Sequence, residues 1–323
     1  MSARLDCRDT DVQKTNTKND TGSLAKTQVD LLRCGEARGA CQRHETRFVK
    51  ASFDPMASTL AIHFINLDRD TQRRAYMERT LEGMGLDYAR FAAVDATQLT
   101  PEHEAYYRAP QRAHLGAAEV AAFLSHITLW KKIAAGDATF GLVFEDDVIF
   151  AEDFADFLEE AVQKIDPDAL QIHRFETFMA RVTLQRQARH QVGTRRAYVL
   201  ESNHGGTAAY LLNKKTAAHL VEMSDHFTNA VDIDLFDPQR RKATDVQVLQ
   251  WVPAPCVQDM QSGLTLGFKS NVLGDRADER DGVLQKRGGL TEQVKSALRP
   301  AYTALYSAAL FPSGRWRTPV PFG

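Results

Sequence analysis

Three consecutive acids, Glu145-Asp146-Asp147, end the apolar run that starts at Phe140 and precede Val148-Ile-Phe150. Acids delivered by the C-terminal end of a strand face the crevice where open α/β sheets bind ligands. Carboxylate oxygens suit Mg²⁺ or Mn²⁺, ions that commonly bridge to substrate phosphates. The triplet therefore reads as a metal site for a phosphorylated substrate; a solvated turn is the plainer alternative. Strand alternation expects Glu145 and Asp147 on one side and Asp146 on the other.

A second chemical cluster begins where an earlier strand ends, at Asn66-Leu-Asp-Arg-Asp-Thr-Gln-Arg-Arg74. Asn66 and Asp68 have the groups to hydrogen-bond a base or ribose, and Arg69, Arg73 and Arg74 the planar forks that match a diphosphate. An ordinary strand-to-helix turn is the alternative. Further along, His204-Gly-Gly-Thr207 would let backbone approach a ligand closely. Val231-Asp-Ile-Asp-Leu-Phe236 alternates like a strand, which would set Asp232 and Asp234 on one face as base, metal ligand or cap. Ser125 and His126 lie in a helix, where a lone histidine is more often a satisfied, half-buried residue than a ligand. No Gly-x-Ser-x-Gly elbow and no nucleophilic triad spacing is present.

These residues need elements to position them. Apolar patterning predicts strands at 60–67, 88–94, 140–144, 169–175 and 208–212. Helices are expected at 70–82, 116–135 and 153–164, with Asn213 capping another to about Met223. The segment 96–115 reads as a polar connection and 177–197 as an arginine-rich irregular stretch. Alternation of strands and helices implies a mostly parallel α/β sheet.

The predicted organisation is a polar extension over 1–58, a main domain over 59–262 and a tail over 263–323. Two readings of the extension stay open: a flexible segment, or an upstream translation with Met56 as the start. In the tail, Val294, Leu298, Tyr302, Leu305 and Ala309 could line one helix face. The cationic, aromatic end from Phe311 either packs on the domain or makes a weak membrane contact.

The 323 residues carry a net charge of −2, so no basic footprint for nucleic acid stands out. Four cysteines without a Cys-x-x-Cys pair suggest neither a disulfide framework nor a zinc site. No apolar stretch reaches 18 residues and the N-terminus lacks the apolar core of a secretion signal, so an intracellular protein is expected.

Taken in order, these blocks resemble glycosyltransferase family 25, the bacterial lipooligosaccharide and lipopolysaccharide sugar transferases. The resemblance rests on Phe64-Ile-Asn-Leu-Asp-Arg69 with Arg73-Arg74, Ala93-Val-Asp95, Glu119, Leu124-Ser-His126 with Trp130, and Val143-Phe-Glu-Asp-Asp-Val148. Arg174-Phe-Glu176, Gly206-Thr-Ala-Ala-Tyr210 and Val231-Asp232 complete it, over roughly 60–262. Ala121-Ala122 stands where the family often has Gly-Cys, a mild packing change.

The resemblance implies a Rossmann-like nucleotide-diphospho-sugar transferase fold of the A type. It implies a UDP-sugar donor carrying galactose or glucose, inversion at the anomeric carbon and a surface glycan acceptor. It further implies Mn²⁺ or Mg²⁺ at Glu145, Asp146 and Asp147, with Asn66, Asp68, Arg69, Arg73, Arg74, Ser125, His126, Gly206 and Thr207 at the donor. Asp232 is the expected general base, with Glu176 second. Location would be cytoplasmic, with peripheral contact to the inner face of the membrane. The competing readings are a metal-dependent nucleotidyltransferase or phosphohydrolase, and a lapsed relative that binds UDP or glycan without turnover.

Overall fold

A computed structural model of the chain describes residues 59–262, apart from 108 and 243, together with 266 and 311–323. All belong to the unit Asp54–Gly323. The proposed extension over 1–58, including Met56, and the helix face from Val294 to Ala309 lie outside the described residues.

In chain order the elements are β1 (Leu60–Asn66), α1 (Thr71–Gly83), β2 (Ala89–Ala92), α2 (Pro101–Tyr107) and α3 (Ala117–Ala135). There follow β3 (Phe140–Glu145), β4 (Val148–Phe150), α4 (Phe154–Lys164), β5 (Gln171–Arg174) and β6 (Glu176–Thr177). Next come β7 (Arg181–Val192), β8 (Arg195–Leu200), β9 (Ala209–Asn213), α5 (Lys214–Met223), α6 (Val231–Phe236) and α7 (Pro238–Arg241). The last are β10 (Gln247–Val252), β11 (Cys256–Gln258), α8 (Asp259–Ser262) and β12 (Arg315–Pro319).

A nine-stranded sheet runs β12-β7-β8-β10-β5-β9-β3-β1-β2. Its β1–β2, β1–β3 and β5–β10 contacts are parallel, whereas the rest of its neighbours pair antiparallel. The sheet is therefore mixed rather than mostly parallel. The physical reason is β9, which runs back between β3 and β5, and the hairpin arm β7-β8 with β12 at the edge.

Helices cover both faces, as period-two strands buried on both sides require. Leu60, Ile62 and Phe64 of β1 meet Met77 and Leu81 of α1 and Phe154, Phe157 and Leu158 of α4 in one cluster. Ile65, Val143, Tyr210 and Leu212 face the other way, onto Phe123, Ile127 and Trp130 of α3 and Leu235 and Phe236 of α6.

Three expectations change. The stretch 177–197 is no irregular insert, since β7 and β8 form a long hairpin from within it. Residues 231–236 are helical, not a strand. Residues 96–115 contain α2 and two short 3₁₀ turns, not a bare connection. Asn213 does cap α5, its side chain accepting from the Thr216 N–H.

The tail from Phe311 opens with a short 3₁₀ turn and packs on the domain. β12 pairs with β7, and Trp316 packs edge-on against Tyr198. Beyond it Val320 is fully buried. Its carbonyl accepts from Thr177 Oγ1 at 2.6 Å, the Pro321 carbonyl accepts from the Ala254 N–H at 2.8 Å, and the Gly323 N–H donates to Ala254 at 3.1 Å.

A second sheet, β4-β11-β6, sits beside the acidic turn. Its β11 runs antiparallel to β4 and parallel to β6. Among the described residues no helix is long and apolar enough to cross a membrane.

Candidate active site

Register assembles the site. Ile65 of β1 lies opposite Glu145 of β3, so Asn66 falls beside Asp146 at the strand ends. On the other side of β3 the Glu145 N–H bonds the Ala208 carbonyl, which brings Thr207 alongside. The ends of β1 and β3 and the loop entering β9 thus open onto one cavity of ≈ 460 Å³. Asn66, Arg69, Arg73, Ser125, His126, Glu145, Asp146, Asp147, Gly206, Thr207 and Asp232 all line it. Asp68, Arg74 and Glu176 do not.

The acids are not equivalent. β3 ends at Glu145, and Asp146-Asp147 form the turn into β4, so strand alternation does not extend over the triplet. Nor do the three acids stand without neutralising neighbours. Glu145 accepts from Thr207 Oγ1 at 2.6 Å and from Gln258 Nε2 at 3.0 Å. Asp146 accepts from Asn66 Nδ2 at 2.6 Å and from Arg73 Nη1 at 2.7 Å. Arg73 Nη1 stands 3.4 Å from Asp147 Oδ2. Asp147 Oδ1 is buried and has no hydrogen-bond partner.

Burial, reinforced by the charge of Asp147 and then of Glu176, pushes the Glu145 carboxyl well above its usual range. Burial also raises Asp147 and Asp146, although Arg73 pulls both the other way. Crowded carboxylates in a low dielectric attract positive charge, and Arg73 supplies only part of it.

Behind Glu145 a chain of polar groups crosses α3. Trp130 Nε1 donates to the Tyr210 hydroxyl at 2.8 Å, and that hydroxyl is 2.8 Å from His126 Nδ1. Desolvation holds His126 neutral, its pKa pushed down to about 3. The indole only donates, so the hydroxyl accepts from it. On the other side of the imidazole, Nε2 is 3.9 Å from Glu145 Oε1. His126 and Ser125 are 2% and 1% exposed, so both are buried, and the histidine is not half-buried as expected. Ser125 Oγ accepts from the Val94 N–H at 2.8 Å and fastens β2's exit to α3.

The loop His204–Thr207 carries the opposite wall. Gly206 has φ +87°, and a Cβ there would lie 2.1 Å from Phe178 Cε2 and 2.9 Å from Glu176 Oε2, so only glycine fits. Its N–H donates to Asp232 Oδ2 at 3.0 Å. Asp232 thus stands in the first turn of α6 with its carboxylate in the cavity. Asp234 turns away and accepts from the Thr228 and Asn229 N–H groups at 2.7 Å, fixing the loop that leads into α6.

Glu176 is 1% exposed beneath Gly206. Its Oε1 accepts from the Ala208 N–H at 2.9 Å and from Arg174 Nη2 at 3.0 Å. Burial pushes its carboxyl up to about 7 despite Arg174. Asp68 and Arg74 look outward instead. Asp68 pairs with Arg90, and Arg74 pairs with Glu78 at 2.7 Å one helical turn on. Arg69 lines the cavity while paired with Asp95.

Residue-type reasoning assigned no role to Arg90, Gln258, Tyr210, Arg174, Phe178 or Met260. Their signal is tertiary: Arg90 Nε donates to Asn66 Oδ1 at 2.9 Å, a pairing that β1–β2 register creates and local sequence does not display.

Comparison with known proteins identifies the family. The family described as "Glycosyltransferase family 25 (LPS biosynthesis protein)" matches residues 59–235, more than half of the chain. The lacto-N-neotetraose biosynthesis glycosyltransferase LgtB of Neisseria gonorrhoeae is 29% identical over 208 residues, covering 61% of this chain and 74% of that protein. The lipooligosaccharide biosynthesis protein lic2B of Haemophilus influenzae is 27% identical over 210 residues, 62% of this chain and 76% of that protein. A solved glycosyltransferase involved in glycosylation of the major capsid of PBCV-1 aligns over 69% of this chain and 99% of its own, with TM-score 0.34 and 10% identity. The chain belongs to glycosyltransferase family 25 and is a glycosyltransferase.

Proposed function

We propose that the chain transfers a hexose, galactose or glucose, from a UDP-sugar to a lipopolysaccharide or lipooligosaccharide acceptor with inversion, on a Rossmann-like A-type scaffold. The observation that carries this reading is one cavity containing an arginine-braced acid turn and a separate carboxylate, Asp232. Arg73 and Arg69 would meet the diphosphate, and Asn66 would orient the nucleotide end. Relatives that build surface oligosaccharides support the acceptor class.

The acid turn fits a divalent ion, Mn²⁺ or Mg²⁺. Asp147 Oδ1 is a buried acceptor without a partner, and the Asp146 carboxylate follows Glu145 directly in the turn beside it. Among the described residues no three His, Cys, Asp or Glu side chains converge on one metal position. The ion would therefore be held by Asp147 and Asp146, with the remaining ligands from diphosphate and water, a usual arrangement for this chemistry. When bound it supplies Lewis-acid stabilisation to the departing UDP. Glu145, engaged by Thr207 and Gln258, and Asp146, engaged by Asn66 and Arg73, would each exchange a hydrogen bond to ligate, which leaves Asp147 as the principal ligand.

Inversion requires a base on the acceptor side. Asp232 would take the acceptor hydroxyl proton as that oxygen bonds to the anomeric carbon and the carbon–oxygen bond to UDP breaks. Asp232 is favoured over Glu176 because it lines the cavity, whereas Glu176 is sealed below Gly206. Such an enzyme works on the cytoplasmic side, where UDP-sugars are made, at the inner face of the membrane.

Calorimetry with UDP and Mn²⁺ tests the assignment. Wild type should bind UDP in a manganese-dependent way, and Asp147→Ala should lose at least roughly tenfold in affinity. Equal binding by both proteins, or none by wild type, defeats it. Release of pyrophosphate or free phosphate without sugar transfer, in a screen of UDP-sugars, would favour nucleotidyl or phosphate chemistry instead.

A further inference from the structure

The cavity walls differ in chemistry. Asn66, Arg69 and Arg73 line it from the end of β1 to the start of α1, Phe178, Gly206 and Asp232 line it around the glycine loop, and Met260 lines it next to Asp259, whose N–H donates to the Asp147 carbonyl at 2.9 Å. Among the described residues the exposed large hydrophobic side chains are Met179 and Met260, at 45% and 49%. Scattered exposed apolar residues need no explanation. Here Met260 lines the cavity and Met179 directly follows Phe178, which lines it too.

This apolar rim is built, not loose. Phe178 Cε2 occupies the space over Gly206 where any side chain would stand. The Phe178 N–H donates to His204 Nε2 at 3.2 Å, and the Met179 N–H donates to Thr177 Oγ1 at 2.7 Å. His204 Nδ1 is in turn 3.0 Å from Gln250 Oε1. Met179 is held at φ +53°, a left-handed conformation uncommon outside glycine and asparagine. The surrounding bonds hold that conformation in place, and such persistence marks binding sites and clamps more than ordinary loops.

We propose that Phe178 and Met260, extended by Met179, seat the terminal sugar ring of the acceptor and present one of its hydroxyls to Asp232. The proposal rests on the transferase reading above. A pyranose ring has a face of C–H bonds that is apolar and weakly positive, which suits the negative face of an aromatic ring. Methionine supplies unbranched, polarizable packing that adapts to rings of differing substitution. An aromatic surface beside a carboxylate is what a neutral saccharide needs, and it offers little to a diphosphate. The donor's charged half is thereby left to Arg69 and Arg73.

The test titrates methyl α- and β-hexosides into protein saturated with UDP and Mn²⁺, read by saturation-transfer NMR. At least one glycoside should bind wild type. Phe178→Ala and Met260→Ala should each weaken it by roughly tenfold, and Phe178→Trp should restore most of the loss. Affinity for UDP should stay within about twofold in the two Phe178 variants, because that ring packs on the glycine loop and not on Asn66 or the arginines. Glycoside binding indifferent to Phe178→Ala and Met260→Ala, or absent from UDP-loaded wild type, overturns the seat and leaves the donor reading standing. Failure of wild type to bind UDP overturns both.

Discussion

Two arginine–carboxylate pairs stand at and behind the cavity wall, and they behave differently. Arg73 with Asp146 and Asp147 sits at the cavity wall, its side chains 10–12% exposed. Arg174 with Glu176 is sealed, at 0% and 1%. Arg174 also donates to the carbonyls of His204 and Gly205 and lies 4.1 Å over the Phe236 ring. Each pair keeps one buried carboxylate oxygen without a hydrogen-bond partner, Asp147 Oδ1 and Glu176 Oε2, but only the first pair lines the cavity; the second uses its charge to hold the backbone of the glycine loop. Identical chemical types therefore divide into a group that lines the cavity and a group that shapes the loop.

Breaking each pair in turn should expose the difference. Arg174→Ala strands a buried carboxylate and two carbonyls, and a loss of about 3–5 kcal/mol is expected in chemical denaturation. Arg73→Ala should cost about 1–2 kcal/mol, because its acids keep Asn66 and border the cavity, while UDP affinity falls. Equal destabilisation by both would erase the distinction.

A pH series sharpens it. The Glu176 pKa is raised to about 7, so the native state holds that proton more tightly than the unfolded chain. Its contribution is fully present below about pH 4 and is lost as pH rises through 7. Glu176→Gln should consequently gain on wild type as pH climbs from 5 to 8, by on the order of 2 kcal/mol. The buried histidines His63, His126, His173 and His204, all with lowered pKa, have the opposite sign below pH 6.5 but are common to both proteins. A flat difference between the two thermal-stability curves would contradict the assignment. The smallest effect belongs to Arg74→Ala, whose partner Glu78 is on the same exposed helix face. UDP affinity and melting temperature should not move measurably.

How far the sequence foretells this molecule depends on the range of the forces involved. β1, β3, α3, α4 and α5 follow from local apolar periodicity, and the Asn213 cap from one side chain and its own helix. The hairpin β7-β8 is hidden because its outward arginines mask the inward Val182, Leu184 and Val192, and because Arg195 is buried through a pairing with Asp153 from far upstream. α6 misleads because six residues are too few to tell a period of two from one of 3.6. In the site, the acid turn and Asp232 are legible as residue types. Their ranking is not, since whether Glu176 or Asp232 meets the cavity is decided by a glycine loop and the register of β9.

The closing residues carry a practical consequence. The family match ends at 235, yet Gln258 steadies Glu145, and the final residues are stitched to Ala254 and to Arg195, whose Nε donates to the Gly323 carbonyl. An expression fragment trimmed to the matched stretch would strip partners from both β5 and β8 and present raw sheet margins to neighbouring molecules. Purification handles belong at the other terminus, or behind a spacer.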